Sequence, residues 1–225
     1  DISVWLEFRR VLFRSDAIIN GITVGNVSGN NNAVVGYQAL NSNVDGYENV
    51  AIGYQAAYSN TNGYDNIAIG YQALFSNTTQ AGNVAIGYSV LRNNVSFNNN
   101  GIGRYVLEAN TSGNSNNAFG ASALLKNSTG NLNSAFGDSS LANNVSSDQN
   151  SGFGCNSLYS NVSGISNSAF GCYALKSSTG NYNIGIGYSS GANITSGSGN
   201  IIIGAQVDPP KIGRAHVWTP VTLIY

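Results

Sequence analysis

The sequence predicts an all-β chain built as a parallel β-solenoid of about eleven coils of 17 residues. Three observations lead there: a glycine recurs at a near-constant interval, fixed residue columns accompany it, and the composition is rich in turn formers and poor in charge. The chain has 225 residues with 28 Gly, 35 Asn and only 8% charged residues, about a third of the share in an ordinary domain. Its 42% hydrophobic content opposes disorder. Self-similarity at a short fixed period is the signature of stacked repeats.

The anchor glycine stands at Gly36, Gly53, Gly70, Gly87, Gly103, Gly120, Gly137, Gly154, Gly171, Gly187 and Gly204. The steps are 17 residues, except two of 16 at Gly87 to Gly103 and Gly171 to Gly187. Asn always stands four residues before the anchor, as in Asn49, Asn66, Asn83, Asn116, Asn133, Asn150 and Asn167. A large apolar residue always comes one before it, from Val35 and Ile52 to Phe170 and Ile203, usually preceded by Ala or Gly. Leu follows four after the anchor in most units, and Asn often seven after, as in Asn43, Asn60 and Asn77.

Each column has a physical reading. The alternating run into the glycine is a short strand. Eleven such strands stacked at ~4.8 Å make a rod of roughly 50 Å. The large residue before the glycine is expected to face into the coil, with the small residue beside it facing out, where another chain approaches closely. The anchor glycine allows a tight bend. Asn in a fixed column can stack as an amide ladder along the rod. The Ala-Leu pair after the glycine reads as a second short strand with a bend, the alternative being one helical turn. On this reading a coil buries only about two large apolar side chains, each worth ~1.5–3 kcal/mol. Ordering its backbone costs ~1–2 kcal/mol per residue. Such a thin coil needs neighbours along the rod and beside it.

The two ends differ from the middle. Residues Trp5–Ser15 read as a conceptual translation of a short-read sequencing adapter, and Ile212–Thr222 as its opposite strand. The flanking residues at both ends accommodate one index sequence and its reverse complement. Residues 1–15 and 211–225 are therefore expected to be adapter-derived and non-structural, and 16–210 to be the repeat domain, a fragment of a longer protein. Both Trp and the single His lie in those ends. Between them, Arg92, Arg104, Lys126 and Lys176 stand against eight carboxylates, a net of −4.

That balance excludes ordinary nucleic-acid binding. No apolar run reaches the ~18 residues of a membrane helix, so no insertion is expected within this fragment. Without a His in the repeats, no Ser-His or Cys-His nucleophile is possible, and an enzyme is not expected. Asp45, Glu48, Asp65, Glu108, Asp138 and Asp148 are scattered without calcium-loop spacing. No metal and no cofactor are expected; the run Gly185–Gly191 lacks the spacing of a phosphate loop. Cys155 and Cys172 fall one repeat apart, either as two small residues in a column or as a disulfide. Tyr37, Tyr54, Tyr71 and Tyr88 share the column directly after the glycine. They form either a candidate binding face for sugars, proteins or another fibre, or a structural stack. The sequons at Asn77, Asn94, Asn110, Asn127 and Asn161 arise readily by chance in so Asn-rich a repeat.

The runs NVAIG, NIAIG and NVAIG (residues 49–53, 66–70 and 83–87) resemble the head repeats of YadA-like trimeric autotransporter adhesins. The longer unit NIAIGYQALFSNTT (residues 66–79) is similar to repeats of bacterial and phage tail-fibre proteins. The resemblance spans all eleven units. It implies a left-handed parallel β-roll with three chains side by side, a homotrimeric fibre on a cell surface or virion, and attachment to a host surface protein or glycan. The period of 17 is longer than that of the adhesin heads, and here Ala and Leu are adjacent. The expected function is therefore a structural and adhesive fibre segment, extracellular or on a virion. The alternative is a monomeric β-solenoid that binds ice or polysaccharide. A solenoid enzyme acting on carbohydrate would need carboxylates clustered across a groove, which the repeat does not show.

Overall fold

The structure is a computed structural model that describes residues 31–206 and the backbone of two strands ahead of them. The adapter-like ends, with Trp5, His216 and Trp218, lie outside the described residues. Strands β1 (Ala17–Ile19) and β2 (Ile22–Gly25) pair antiparallel, and β2 pairs antiparallel with β3 (Ala33–Val35). From there each coil supplies one three-residue strand, from β4 (Val50–Ile52) and β5 (Ile67–Ile69) through to β12 (Ile184–Ile186) and β13 (Ile201–Ile203). Strands β3 to β13 are all parallel, and each pairs with the next in sequence order. The register matches anchor to anchor, so Ile52 lies beside Ile69 and Phe136 beside Phe153. The chain is thus an all-β parallel solenoid with a 17-residue coil, and no helix occurs among the described residues. We number its coils 1 to 11 by their anchors, Gly36 to Gly204.

Backbone bonds between coils continue beyond the strands. Gln55 N–H donates to Tyr37 O at 2.9 Å, Leu40 N–H to Ala56 O at 2.9 Å, and Ser42 N–H to Tyr58 O at 3.1 Å. Each coil is therefore held to its neighbours around its perimeter, which is how so thin a cross-section satisfies its backbone. The anchor glycine permits this stacking. At Gly53 φ is +132°, and a Cβ there would lie 2.5 Å from the carbonyl oxygen of Gly70.

The strand faces are the reverse of the expectation. The small residues Ala51, Ala68, Ala85, Ala118, Ala135 and Ala169 point inward and are fully buried. The large residues beside them point out: Ile52 is 38% exposed and Phe170 43%. The reason is volume. Leu40, Leu74, Leu91, Leu107, Leu124, Leu141, Leu158 and Leu175 already fill the lumen, with the residue before each Leu buried alongside. Where that residue is Val, as at Val90 and Val106, the strand opposite carries Gly101. A Cβ on Gly101 would sit 2.6 Å from Val90 Cγ1. Only a small side chain fits there, so the period-two alternation of the strand turns its large residues outward.

The segment after the glycine is neither a strand nor a helical turn. It is a tight turn in which two residues per coil take left-handed backbone, such as Gln55 (φ 53°) and Leu74 (φ 51°). These conformations cost L-residues roughly 1–2 kcal/mol each. They turn the adjacent Ala and Leu both toward the lumen, which strict alternation forbids. The two 16-residue steps come from turns shortened by one residue, between Asn94 and Asn99 and between Ser178 and Asn183.

Candidate functional site

Two amide ladders line the interior. In the column before the glycine, the Asn Nδ2 donates to the Oδ1 of the Asn one coil back, except at Asn99 and Asn183, which follow the shortened turns. The distances run from 3.1 to 3.3 Å for the donors Asn49, Asn66, Asn83, Asn116, Asn133, Asn150 and Asn167. The same Nδ2 donates to a turn carbonyl, as from Asn133 to Ser147 O at 2.8 Å. The same Oδ1 also accepts the backbone N–H of the next Asn, as from Asn150 to Asn133 at 3.0 Å. Every hydrogen-bonding group of such an amide is occupied, so its burial is offset.

The second ladder, seven residues after the glycine, links Asn60 to Asn43 at 3.1 Å and Asn77 to Asn60 at 3.2 Å. It resumes from Asn94 through Asn110, Asn127 and Asn144 to Asn161. The break falls at the first shortened turn. There Asn94 Nδ2 turns to Ser96 O at 2.7 Å, leaving Asn77 Oδ1 buried without a partner. Asn99 Nδ2 instead reaches Asn94 Oδ1 at 3.2 Å, so the two ladders touch. At the second shortened turn Asn183 Nδ2 reaches Ser178 Oγ at 3.3 Å. The sequon asparagines Asn77, Asn94, Asn110, Asn127 and Asn161 belong to this buried ladder and offer no amide to a glycosylating enzyme once folded.

The four tyrosines of the candidate face form one stack. Centroids are 5.6, 5.3 and 4.8 Å apart from Tyr37 to Tyr88, with planes within 18° of parallel. Ring faces therefore cover one another, and solvent meets ring edges and hydroxyls. Beside them Gln55 Nε2 donates to Gln38 Oε1 and Gln72 Nε2 to Gln55 Oε1, each at 2.9 Å, and Arg92 Nε closes the row on Gln72 Oε1 at 2.9 Å. Tyr105 meets the end of the stack edge-on at 85° to Tyr88, and Arg104 lies 4.7 Å from the Tyr105 centroid. Partial desolvation, followed by Tyr105 and Tyr71, raises the pKa of Tyr88, while Arg104 lowers it.

Sequence reasoning missed two shorter stacks, Tyr47 on Tyr64 at 4.9 Å and Tyr58 on Phe75 at 5.1 Å with Arg92 over the latter ring. The signal was available, since each pair lies one period apart. Desolvation, then Tyr64, Asp65 and Glu48, raises the pKa of Tyr47. Cys155 and Cys172 are both free thiols, so of the two readings the unbonded column is observed. Burial, then the neighbouring Cys155, pushes the Cys172 thiol up.

On the sheet face, Phe119, Phe136, Phe153 and Phe170 stack at 4.7 to 5.0 Å. They continue Ile52, Ile69, Ile86 and Ile102 as one apolar row, closed by Ile186 and Ile203. The parallel outward row runs through Val50, Ile67 and Val84, then Asn100, Asn117, Ser134, Ser151 and Ser168, then Ile184 and Ile201. Neither row contains a charged residue. Among the described residues no group of three metal-ligating side chains occurs, and no helix is long and apolar enough to cross a membrane. Comparison with protein-family models, curated proteins and solved structures finds no match to this chain.

Proposed function

We propose that this chain is a segment of an extracellular or virion-borne fibre with a structural and adhesive role, and that three copies associate side by side through the outward face of the sheet. The observation that carries the reading is the unbroken, charge-free apolar row from Ile52 to Ile203, held rigidly on the rod. Large contiguous apolar patches on a folded surface mark interaction sites. A stripe of roughly 50 Å by ~12 Å offers ~600 Å² per chain, close to the ~800 Å² per partner of a standard interface. The resemblance to adhesin head repeats supports the same assembly. The small-residue column is buried and takes no part in it. The rod then serves as a stiff spacer, and its outer turns present repeated polar and aromatic columns to a host protein or glycan.

The test is the solution mass of the full chain by light scattering, with circular dichroism alongside. A β-rich species of three times the chain mass is expected. A β-rich monomer overturns the assembly. The second reading, a solitary module that binds polysaccharide, then takes its place, supported by the row of tyrosine hydroxyls and glutamine amides on coils 1 to 4.

A further inference from the structure

The regular solenoid offers few concavities, but one opens where its pattern fails. In coil 10 the core Leu is replaced by Gly191, and its space is taken by Ile194 and by Ile202, which stands where coils 2 to 10 carry Ala or Gly. On the outer side of this turn lies a cavity of about 490 Å³, lined by Tyr173, Lys176, Ser177, Tyr188, Ser189 and Gln206 among others. That volume falls within the ~300–1,000 Å³ of small-molecule sites.

Its aromatic geometry differs from that of the long stacks. Tyr173 and Tyr188 have centroids 6.0 Å apart and planes at 84°. Tyr188 is the last aromatic of its column, because the next residue in register is Ala205. Its ring is therefore not sandwiched between parallel rings as Tyr54 and Tyr71 are. Lys176 places its ammonium 5.2 Å from the Tyr173 centroid. No carboxylate lines the cavity, so the lining carries one positive charge. The rest is hydroxyl and amide, with little aliphatic surface to hold a lipophilic molecule.

We infer that this cavity binds an anionic saccharide, one sugar ring against the Tyr173–Tyr188 corner with its carboxylate or sulfate on Lys176. The division of labour follows from the chemistry. Sugar C–H faces pack on aromatic rings. Sugar hydroxyls exchange hydrogen bonds with Ser177, Ser189 and Gln206. The acidic group makes a charge-assisted bond to the ammonium, stronger than a neutral one. None of the residues that line the cavity belongs to the apolar row proposed for assembly, and Gly187 separates Tyr188 from Ile186 of that row. The inference rests on the attachment reading only for its purpose.

The test is calorimetric titration of the full chain with a galacturonic acid tetrasaccharide, against neutral cellotetraose. Saturable binding of one tetrasaccharide per chain is expected, weakening as salt is raised. Lys176→Gln and Tyr188→Ala should each weaken it by about tenfold or more, with unchanged circular dichroism, while Lys126→Gln should leave it within about twofold. The neutral sugar should bind at least about tenfold more weakly. Absence of saturable binding overturns the inference, and so does equal loss in Lys126→Gln and Lys176→Gln. Lys176 has a partly exposed side chain, so its variant remains informative even if Tyr188→Ala perturbs folding. Light scattering on the same samples separates the two proposals. A monomer that binds sinks the fibre assembly alone, and a trimer that does not bind sinks the sugar site alone.

Discussion

In coils 1 to 4 the aromatic column stands after the anchor glycine, as Tyr37, Tyr54, Tyr71 and Tyr88, and the sheet face beside it is aliphatic. In coils 6 to 9 it stands before the glycine, as Phe119, Phe136, Phe153 and Phe170, beside Asn and Ser. The column after the glycine there becomes Ala121, Asp138, Cys155 and Cys172. Each region keeps a continuous aromatic stack, but on opposite sides of the bend. The change falls between coils 3 and 5: the second amide ladder breaks between Asn77 and Asn94, the turn from Asn94 to Asn99 is one residue shorter, and Arg104 and Tyr105 close the tyrosine stack. The interior hardly changes across this seam. Leu74 and Leu124 are equally buried, and Asn83 Oδ1 still accepts the Asn99 backbone N–H across the seam, although Asn99 Nδ2 turns to Asn94. The fold is thus held by inner columns common to both regions, while the outer columns are free to set what each region presents.

Breaking the amide ladder should cost most, and equally on both sides of the seam. Asn133→Ala removes the donor to Asn116 and Ser147 and strands the buried N–H of Asn150. Asn66→Ala does the same between Asn49 and Asn83. Each is expected to destabilise by about 4 kcal/mol in urea unfolding, since every orphaned buried group costs ~1–3 kcal/mol. A large difference between the two would mean that the regions do not share one interior. Next come Leu74→Ala and Leu124→Ala, at about 3 kcal/mol each in the same assay, from lost burial plus the cavity left behind.

A smaller effect sharpens the contrast in the column after the glycine, where the later coils carry thiols. Burial and Cys155 raise the Cys172 pKa, so the fold favours the protonated form. Stability is intact below the ordinary thiol range and falls as pH rises through it. Alkylation of Cys172 at pH 8 should accordingly run slower than that of an unhindered peptide cysteine, measured by mass spectrometry. The smallest effect concerns the strained turns. Ser122 holds φ at 59°, a conformation Asn tolerates better. Ser122→Asn should raise stability by a few tenths of a kcal/mol in thermal unfolding.

The period, the columns and the parallel stack were legible in the sequence because each residue type repeats where its physical role repeats. The facing of the strand was not. A three-residue run such as Val50–Ile52 alternates identically whichever side is buried, and the rule that large residues go inside gave the wrong answer. What decides it is lumen volume, already spent on Leu and Asn from other columns. The left-handed backbone at Leu74 was equally hidden, since no glycine marks it. The Tyr37–Tyr88 column was visible, but not that its rings would face each other. The Tyr173–Tyr188 corner had a signal that went unread, the loss of Leu at Gly191.

Inner columns carry the fold, and the outer apolar row is the face proposed for association. The most direct test of this division is Phe136→Asp, which places a charge in the middle of that row without touching the lumen. Light scattering and circular dichroism of the full-length variant and its parent give the answer. The mass is expected to fall to that of one chain while the β signal is kept. A variant that keeps the parent's mass, or loses its β signal, contradicts the division between interior and surface.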